Sequence, residues 1–340
     1  RGLFDAYKRD MEERAPFLGR VKTEPCQPSF LRTEDTIDAF TARMACQWLD
    51  TNHGRASPFF LHISFCNPHD PLDAPEEYFH RHRPDEMPPP EGNVDPARID
   101  EFKWKRAVYC GLIELVDAQV GVVLNKITEL GLNNDTLVLF ATDPGEMIGH
   151  HNYGTKGPFY DTSVRTPIIA RLPGVIPAGA QRDAMIEAVD LPCTLIDAAT
   201  GWNSRSCLPS TPGHSFWGYL QGQTEAHRAW VFAENRGALI RHPWLMCREP
   251  DWKYVYTEGA GDFLFDMQND PWESNNLIDE PQAGEVVARL RRQLIESLNR
   301  RVAPDTATHV WGEKKLRRTS GQRNTLVDPN PRRLLRDIST

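Results

Sequence analysis

The sequence lacks any run approaching the roughly 18 consecutive apolar residues that a membrane-spanning helix requires, and on that count we expect no membrane partner. It also lacks an excess of positive charge. The formal net charge is −8 at pH 7, which argues against nucleic acid held over a whole basic surface. No Cys-x-x-Cys pair occurs. The seven cysteines (Cys26, Cys46, Cys66, Cys110, Cys193, Cys207 and Cys247) are scattered and odd in number. That pattern suits buried free thiols in a reducing compartment better than a disulfide framework or a zinc site, so a cytoplasmic protein is expected. Internal repeats and low-complexity stretches are missing, which excludes solenoids and collagen-like chains. An initiating methionine is missing too: the chain starts at Arg1, and a processed product or a fragment is expected.

What is present suffices for a sizeable core. Of 340 residues, 40 % are hydrophobic and 25 % charged, the balance of a globular α/β protein of one large domain with an appendage, or of two domains. Ile37, Phe40, Met44 and Trp48 step by three, four and four, predicting a helix over 35–50 with these four on its apolar face. Pro58-Phe-Phe-Leu-His-Ile-Ser-Phe65 is an apolar run between Pro58 and an Asn67-Pro68 turn, predicting a buried strand. A second long helix is predicted over 98–130, from Val116, Val120, Val123, Ile127 and Leu130, with Gly131 as its stop. Strands follow at 136–142 and 167–172 and a helix at 182–200. Strands alternating with helices, without polar alternation, predict a mostly parallel sheet with helices on both faces.

From residue 228 the texture changes to short strands (230–233, 244–247, 253–256 and 262–266) and a closing helix over 283–301. This predicts a small C-terminal antiparallel sheet subdomain. The expected division is a core over 1–227, the antiparallel subdomain over 228–302, and a tail over 303–340. From Glu313 to Thr340 the tail carries eight Lys or Arg against three acids. It is read as a solvated arm or as one that wraps a neighbouring subunit and so supports a homo-oligomer.

In a parallel sheet the working residues sit beyond the carboxyl ends of the strands, which singles out two loops. His69 and Asp70 follow the first strand, where a histidine can serve as general acid or base near neutral pH. Asp143 follows the strand over 136–142, where its carboxylate can hold a hard cation such as calcium or magnesium. Lys156, further along the same glycine-rich loop, brings positive charge suited to sulfate or phosphate oxygens. His150 and His151 are adjacent and have no third soft ligand nearby, which argues against zinc.

Taken together these segments resemble one family. Thr136-Leu-Val-Leu-Phe-Ala-Thr-Asp-Pro-Gly-Glu-Met-Ile-Gly-His-His-Asn, followed by Lys156-Gly-Pro-Phe-Tyr and Ser163-Val-Arg-Thr-Pro-Ile-Ile, is similar to the second signature block of the sulfatases. These belong to the alkaline-phosphatase superfamily, beside the phosphonate monoester hydrolases. Phe59 to Phe65 with Asn67-Pro-His-Asp-Pro, Val189 to Asp197, and Asp262 to Leu277 match further blocks in the family's order. The resemblance implies Asp143 as a metal ligand, Lys156 on the sulfuryl oxygens and His69 at the leaving group. The metal implied is Ca2+, with Mg2+ or Mn2+ as alternatives, and the substrate a small-molecule sulfate or phosphonate ester.

The sequence departs from the family pattern in two places. The acidic pair and the Cys-x-Pro-Ser-Arg motif that yields the formylglycine nucleophile are missing, and both are expected in an amino-terminal segment that this sequence lacks. Cys26-Gln-Pro-Ser-Phe30 mimics the motif without its arginine and is not read as the nucleophile. Pro144 stands where the family has a metal-binding His or Asn. The leading expectation is a sulfatase-like hydrolase whose complete form is metal-assisted, with this chain an inactive fragment or a degenerate member. A phosphonate or phosphate ester hydrolase and a non-catalytic binding or assembly protein on the same fold are the alternatives.

Overall fold

The computed structural model describes residues 2–3, 5–10, 27–201, 204–208, 210–236 and 242–301. Cys26 and the basic tail lie outside the described residues. The chain forms two compact units, Arg1–Val138 with Glu146–Thr155, and Leu139–Gly145 with Lys156–Thr340.

In the first unit, helix α1 (Ile37–Asn52) opens at Thr36, whose side-chain oxygen accepts the Ala39 N–H at 3.2 Å, satisfying a donor that the first turn leaves open. Its buried face differs from the one the spacing predicts. Ile37, Phe40 and Met44 are 56 %, 48 % and 40 % exposed, whereas Ala39, Ala42, Ala45 and Leu49 are buried. The helix carries two apolar stripes, and the small alanines win because they fit against the long helix α2 (Ile99–Glu129). The carboxyl-terminal half of α2 meets them with Val123 and Ile127. Its amino-terminal half packs Val108, Leu112 and Leu115 on Leu72, Ala74, Tyr78 and Phe79. Gly131 closes α2 at φ +70°, the left-handed turn that glycine adopts without cost. Among the described residues, α2 is the one helix long and apolar enough to cross a membrane. Val108, Leu112, Leu115, Val123 and Ile127 are used by these two clusters, while Ile113 and Val122 are exposed.

The run over 58–65 is extended, with Phe59, Leu61, Ile63 and Phe65 packed on the α1–α2 cluster and Phe60, His62 and Ser64 exposed. The side chains alternate as in a strand, yet no ladder forms, because none of the described residues lies alongside to exchange backbone hydrogen bonds. The expected strand therefore has strand geometry without strand pairing. Strand β1 (Val138–Ala141) pairs with β2 (Ile168–Arg171) in a two-stranded sheet.

In the second unit, helix α3 (Asp190–Thr200) begins with a fully buried carboxylate. Asp190 accepts from the backbone of Glu187 and His214, from His227 Nε2 at 3.0 Å, and from Nε and Nη2 along one edge of the Arg228 guanidinium. The antiparallel subdomain is present as predicted, in the order β3 (Val231–Asn235), β4 (Trp244–Arg248), β5 (Trp252–Thr257) and β6 (Phe263–Asp266). Helix α4 (Gly284–Arg301) covers one face, setting Leu290, Leu294 and Leu298 on Phe232, Leu245, Cys247, Tyr254 and Leu264. The other face, formed by Trp244, Met246, Val255 and Phe265, is covered by Phe159. Both faces are thus dry, which is why four consecutive residues of β4 are buried.

Burial raises the Asp190 carboxyl, but Arg228, His227 and the two backbone donors outweigh it and hold the group well below the usual carboxylate range. A depressed folded value gives stability that is present above the unfolded value of about 3.9 and lost as pH falls below it. Asp190→Asn should lower stability by about 3–5 kcal/mol, the cost of removing one partner of a buried ion pair. In urea titrations at pH 3 to 7 the variant should also lose most of the wild-type drop below pH 4; equal drops in both proteins would contradict this role.

Candidate active site

His69 sits on the loop that leaves the extended 58–65 run, in the first unit. A residue absent from the sequence reading builds that loop. Asp38, in the first turn of α1 and fully buried, accepts the backbone N–H of Cys66 at 3.0 Å and of Asn67 at 3.3 Å, and the Asn67 side chain at 2.5 Å. The 66–67 turn is therefore nailed to a helix end, and His69 N–H closes it on Cys66 O at 3.2 Å. The imidazole is exposed, and its Nδ1 lies 2.7 Å from the Asp70 carbonyl oxygen. A carbonyl can only accept, so Nδ1 carries the proton and Nε2 is the outward, reactive nitrogen. Burial pushes the Tyr109 hydroxyl up to about 12, helped by Glu146, Cys110 and Asp70, so it is a neutral donor at pH 7.

His150 is 6 % exposed and its Nδ1 accepts the Glu91 N–H at 3.1 Å. The His151 ring fills the space over Gly92, where a Cβ would meet it at 2.6 Å.

Asp143 and Lys156 lie in the second unit. Asp143 is exposed at the end of β1, and Lys156 is half-buried. The two stretches converge on Ser163, which is 2 % exposed. Gly145 N–H donates to Ser163 O at 2.8 Å, and Gly157 N–H to Ser163 Oγ at 3.3 Å. Gly145 has to be glycine, because a Cβ there would stand 2.2 Å from Thr162 O. Gly157 O in turn accepts from Trp244 Nε1 at 2.9 Å and from Asn235 Nδ2 at 3.0 Å. Beyond it lies Lys253, with no exposed surface and all three ammonium protons used: Phe159 O at 2.9 Å, Asp161 Oδ1 at 2.6 Å and Glu273 Oε1 at 2.6 Å. Glu273 Oε2 accepts Asp161 N–H at 2.6 Å. Burial raises both acids; Lys253 and Arg248 bring Asp161 below its ordinary value, while Glu273 stays above its own despite Lys253.

None of Asp38, Ser163, Trp244, Lys253 or Glu273 was singled out from sequence. The one signal available was Lys253 itself, a lone cation inside Trp252-Lys-Tyr-Val-Tyr256.

The implied metal finds only part of a site. Calcium takes six to eight oxygen ligands. Asp143 offers one carboxylate, Pro144 offers no donor side chain, and among the described residues no three His, Cys, Asp or Glu come together. The described residues do not form a complete metal centre.

Burial, aided by Arg106 and His151, pushes the His150 imidazole down to about 4. The unfolded chain then takes up a proton near pH 6.5 that the folded chain refuses. Stability from this group is full above pH 6.5 and lost as pH falls toward 4, by up to about 3 kcal/mol. His150→Gln, which keeps an acceptor for Glu91, should flatten the urea midpoint between pH 6.5 and 4; an unchanged slope would refute the assignment.

The sulfatase profile matches residues 7–201, and the profile described as N-sulphoglucosamine sulphohydrolase, C-terminal, matches residues 149–300. An arylsulfatase of Clostridium perfringens (strain 13 / Type A) is 29 % identical over 267 residues, covering 72 % of this chain and 54 % of its own length. The multifunctional alkaline phosphatase superfamily protein PehA of Trinickia caryophylli is 26 % identical over 303 residues, covering 75 % and 58 %. The phosphonate monoester hydrolase SpPMH from Silicibacter pomeroyi superposes with a TM-score of 0.71 at 24 % identity, over 89 % of this chain and 71 % of that one, a likeness of fold. The chain spans about half the length of the curated relatives it matches. With more than half of its residues matched by the sulfatase profile, and with an α/β fold shared with solved members of the alkaline-phosphatase superfamily, the chain belongs to the sulfatase family.

Proposed function

We propose that this chain supplies the oxyanion-binding and leaving-group residues of a hydrolase acting on small-molecule sulfate esters. The observation that carries the reading is the convergence of the Asp143 and Lys156 stretches on Ser163, which sets a carboxylate loop and a half-buried ammonium within one unit. Lys156 would neutralise charge growing on the non-bridging sulfuryl oxygens, the preorganised electrostatic stabilisation on which such transfers depend. The role of leaving-group acid is assigned to His69. As an imidazolium it keeps Nδ1–H on the Asp70 carbonyl and gives the Nε2 proton to the ester oxygen as the S–O bond breaks. The matched sulfatase profiles and the arylsulfatase and choline-sulfatase relatives support sulfate as the group transferred.

The nucleophile does not come from this sequence, which contains no Cys-x-Pro-Ser-Arg motif. Asp143 would be one ligand of a divalent-metal site completed by residues other than those described. Chemistry therefore requires a polypeptide in which this sequence is joined to a segment bearing that motif and an acidic pair.

Measurements on the chain alone and on the joined polypeptide test the reading. The 340-residue chain alone should hydrolyse p-nitrophenyl sulfate no faster than its Lys156→Ala variant, and should bind calcium in isothermal titration no more tightly than Asp143→Asn. In the joined polypeptide, Lys156→Ala should lower kcat by about 10²–10³-fold. His69→Ala should cost far more on alkyl sulfates than on p-nitrophenyl sulfate, whose leaving group needs little protonation. Faster turnover of p-nitrophenyl phenylphosphonate than of any sulfate ester would replace the sulfate assignment with a phosphonate one.

A further inference from the structure

Lys253 is a fully buried cation that no step above uses. An ammonium in an apolar interior is costly unless paired and hydrogen-bonded, and here each proton has a partner. Those partners converge on one place. Phe159 O and Asp161 Oδ1 belong to the segment that begins at Lys156, and Glu273 grips that segment a second time through Asp161 N–H. Phe159 lies against Phe263 at 4.9 Å and meets Trp244 edge-on at 6.1 Å. Trp244 Nε1 and Asn235 Nδ2 then fix the carbonyl of Gly157, the residue next to Lys156. Glu273 holds φ at +57°, a conformation unfavourable for a residue with a Cβ and kept only where surrounding contacts impose it. The contacts run from the C-terminal sheet, and from Glu273 beyond its last strand, to the few residues after Lys156.

We propose that Lys253, acting through Phe159, Asp161 and Glu273, and Trp244, acting through its hydrogen bond to Gly157 O, are positioning residues for Lys156. The four-stranded sheet is then the bed that sets where the oxyanion-binding ammonium stands. The functional consequence rests on the sulfate-ester reading above; the positioning itself does not. A displacement of about 1 Å at such a group is enough to lose on the order of a hundredfold in rate.

The gentle probe is Trp244→Phe, which keeps an aromatic ring against Phe159 and removes one N–H; Lys253→Met is the severe one. In the 340-residue chain, reductive methylation of Lys156 with formaldehyde and borohydride, read residue by residue by mass spectrometry, should change severalfold in both variants. Labelling of Lys126, in the other unit, should stay within a factor of two. Unchanged Lys156 labelling in a folded Trp244→Phe protein, verified by its thermal transition, overturns the proposal. In the joined polypeptide, Trp244→Phe should lower kcat for p-nitrophenyl sulfate about tenfold in the wild-type background and leave it unaltered in Lys156→Ala, because a residue acting through another adds nothing once that residue is gone. Equal losses in both backgrounds would mean a general structural role and also overturn the proposal. If Lys156→Ala itself leaves turnover unchanged, the sulfate-ester reading fails, and the labelling result alone decides the positioning.

Discussion

The second unit depends on one ammonium group placed where water cannot reach it. Lys253 lies on the inner face of a sheet whose outer face is already sealed by α4. Without partners it would be among the most costly groups in the protein to bury. Its three hydrogen bonds turn that cost into specificity of arrangement. A carbonyl and two carboxylates must arrive together, and only one placement of the 157–164 segment delivers the carbonyl and one carboxylate while leaving the other carboxylate to Glu273. Arg248, 3.5 Å from Asp161 Oδ2, brings the charges to two of each sign.

Much of the fold was legible in the sequence because it follows from local pattern. The four short strands and α4 appear within one or two residues of where the spacing of apolar residues puts them, and α2 stops at the glycine that marks its end. The helix expected over 182–200 begins only at Asp190, because Met185 instead bridges Arg228. Two further features were misread for the same physical reason. The face of α1 is decided by how closely α2 approaches, which favours Ala39, Ala42 and Ala45 over the larger Ile37, Phe40 and Met44. Whether 58–65 is a paired strand is decided by a neighbour, which periodicity cannot supply. Both are tertiary questions.

The proposed site divides along the same line. His69, Asp143 and Lys156 are singled out because each follows an apolar run or sits in a glycine-rich loop, where the residue type alone suggests chemistry. Their supports were invisible. Asp38 holds its turn across 28 residues of sequence, and Lys253 holds Phe159 across 94. Ser163 reads as an ordinary serine until both of its oxygens are seen in use. A lone lysine in an apolar strand was the single clue, and by itself it does not say which groups it meets.

The sheet that shapes the lysine stretch also bears on the order in which the second unit comes together. Each strand of the meander pairs with its immediate successor in sequence, and α4 folds back onto strands that just precede it. Such contacts close short loops and form quickly, whereas a contact spanning 94 residues closes a long one. Chain assembly therefore favours a template first and its guest second. The stretch beginning at Lys156 gains its shape only after the carboxyl-terminal part of the protein has been made, so this loop is translated before the strands that shape it.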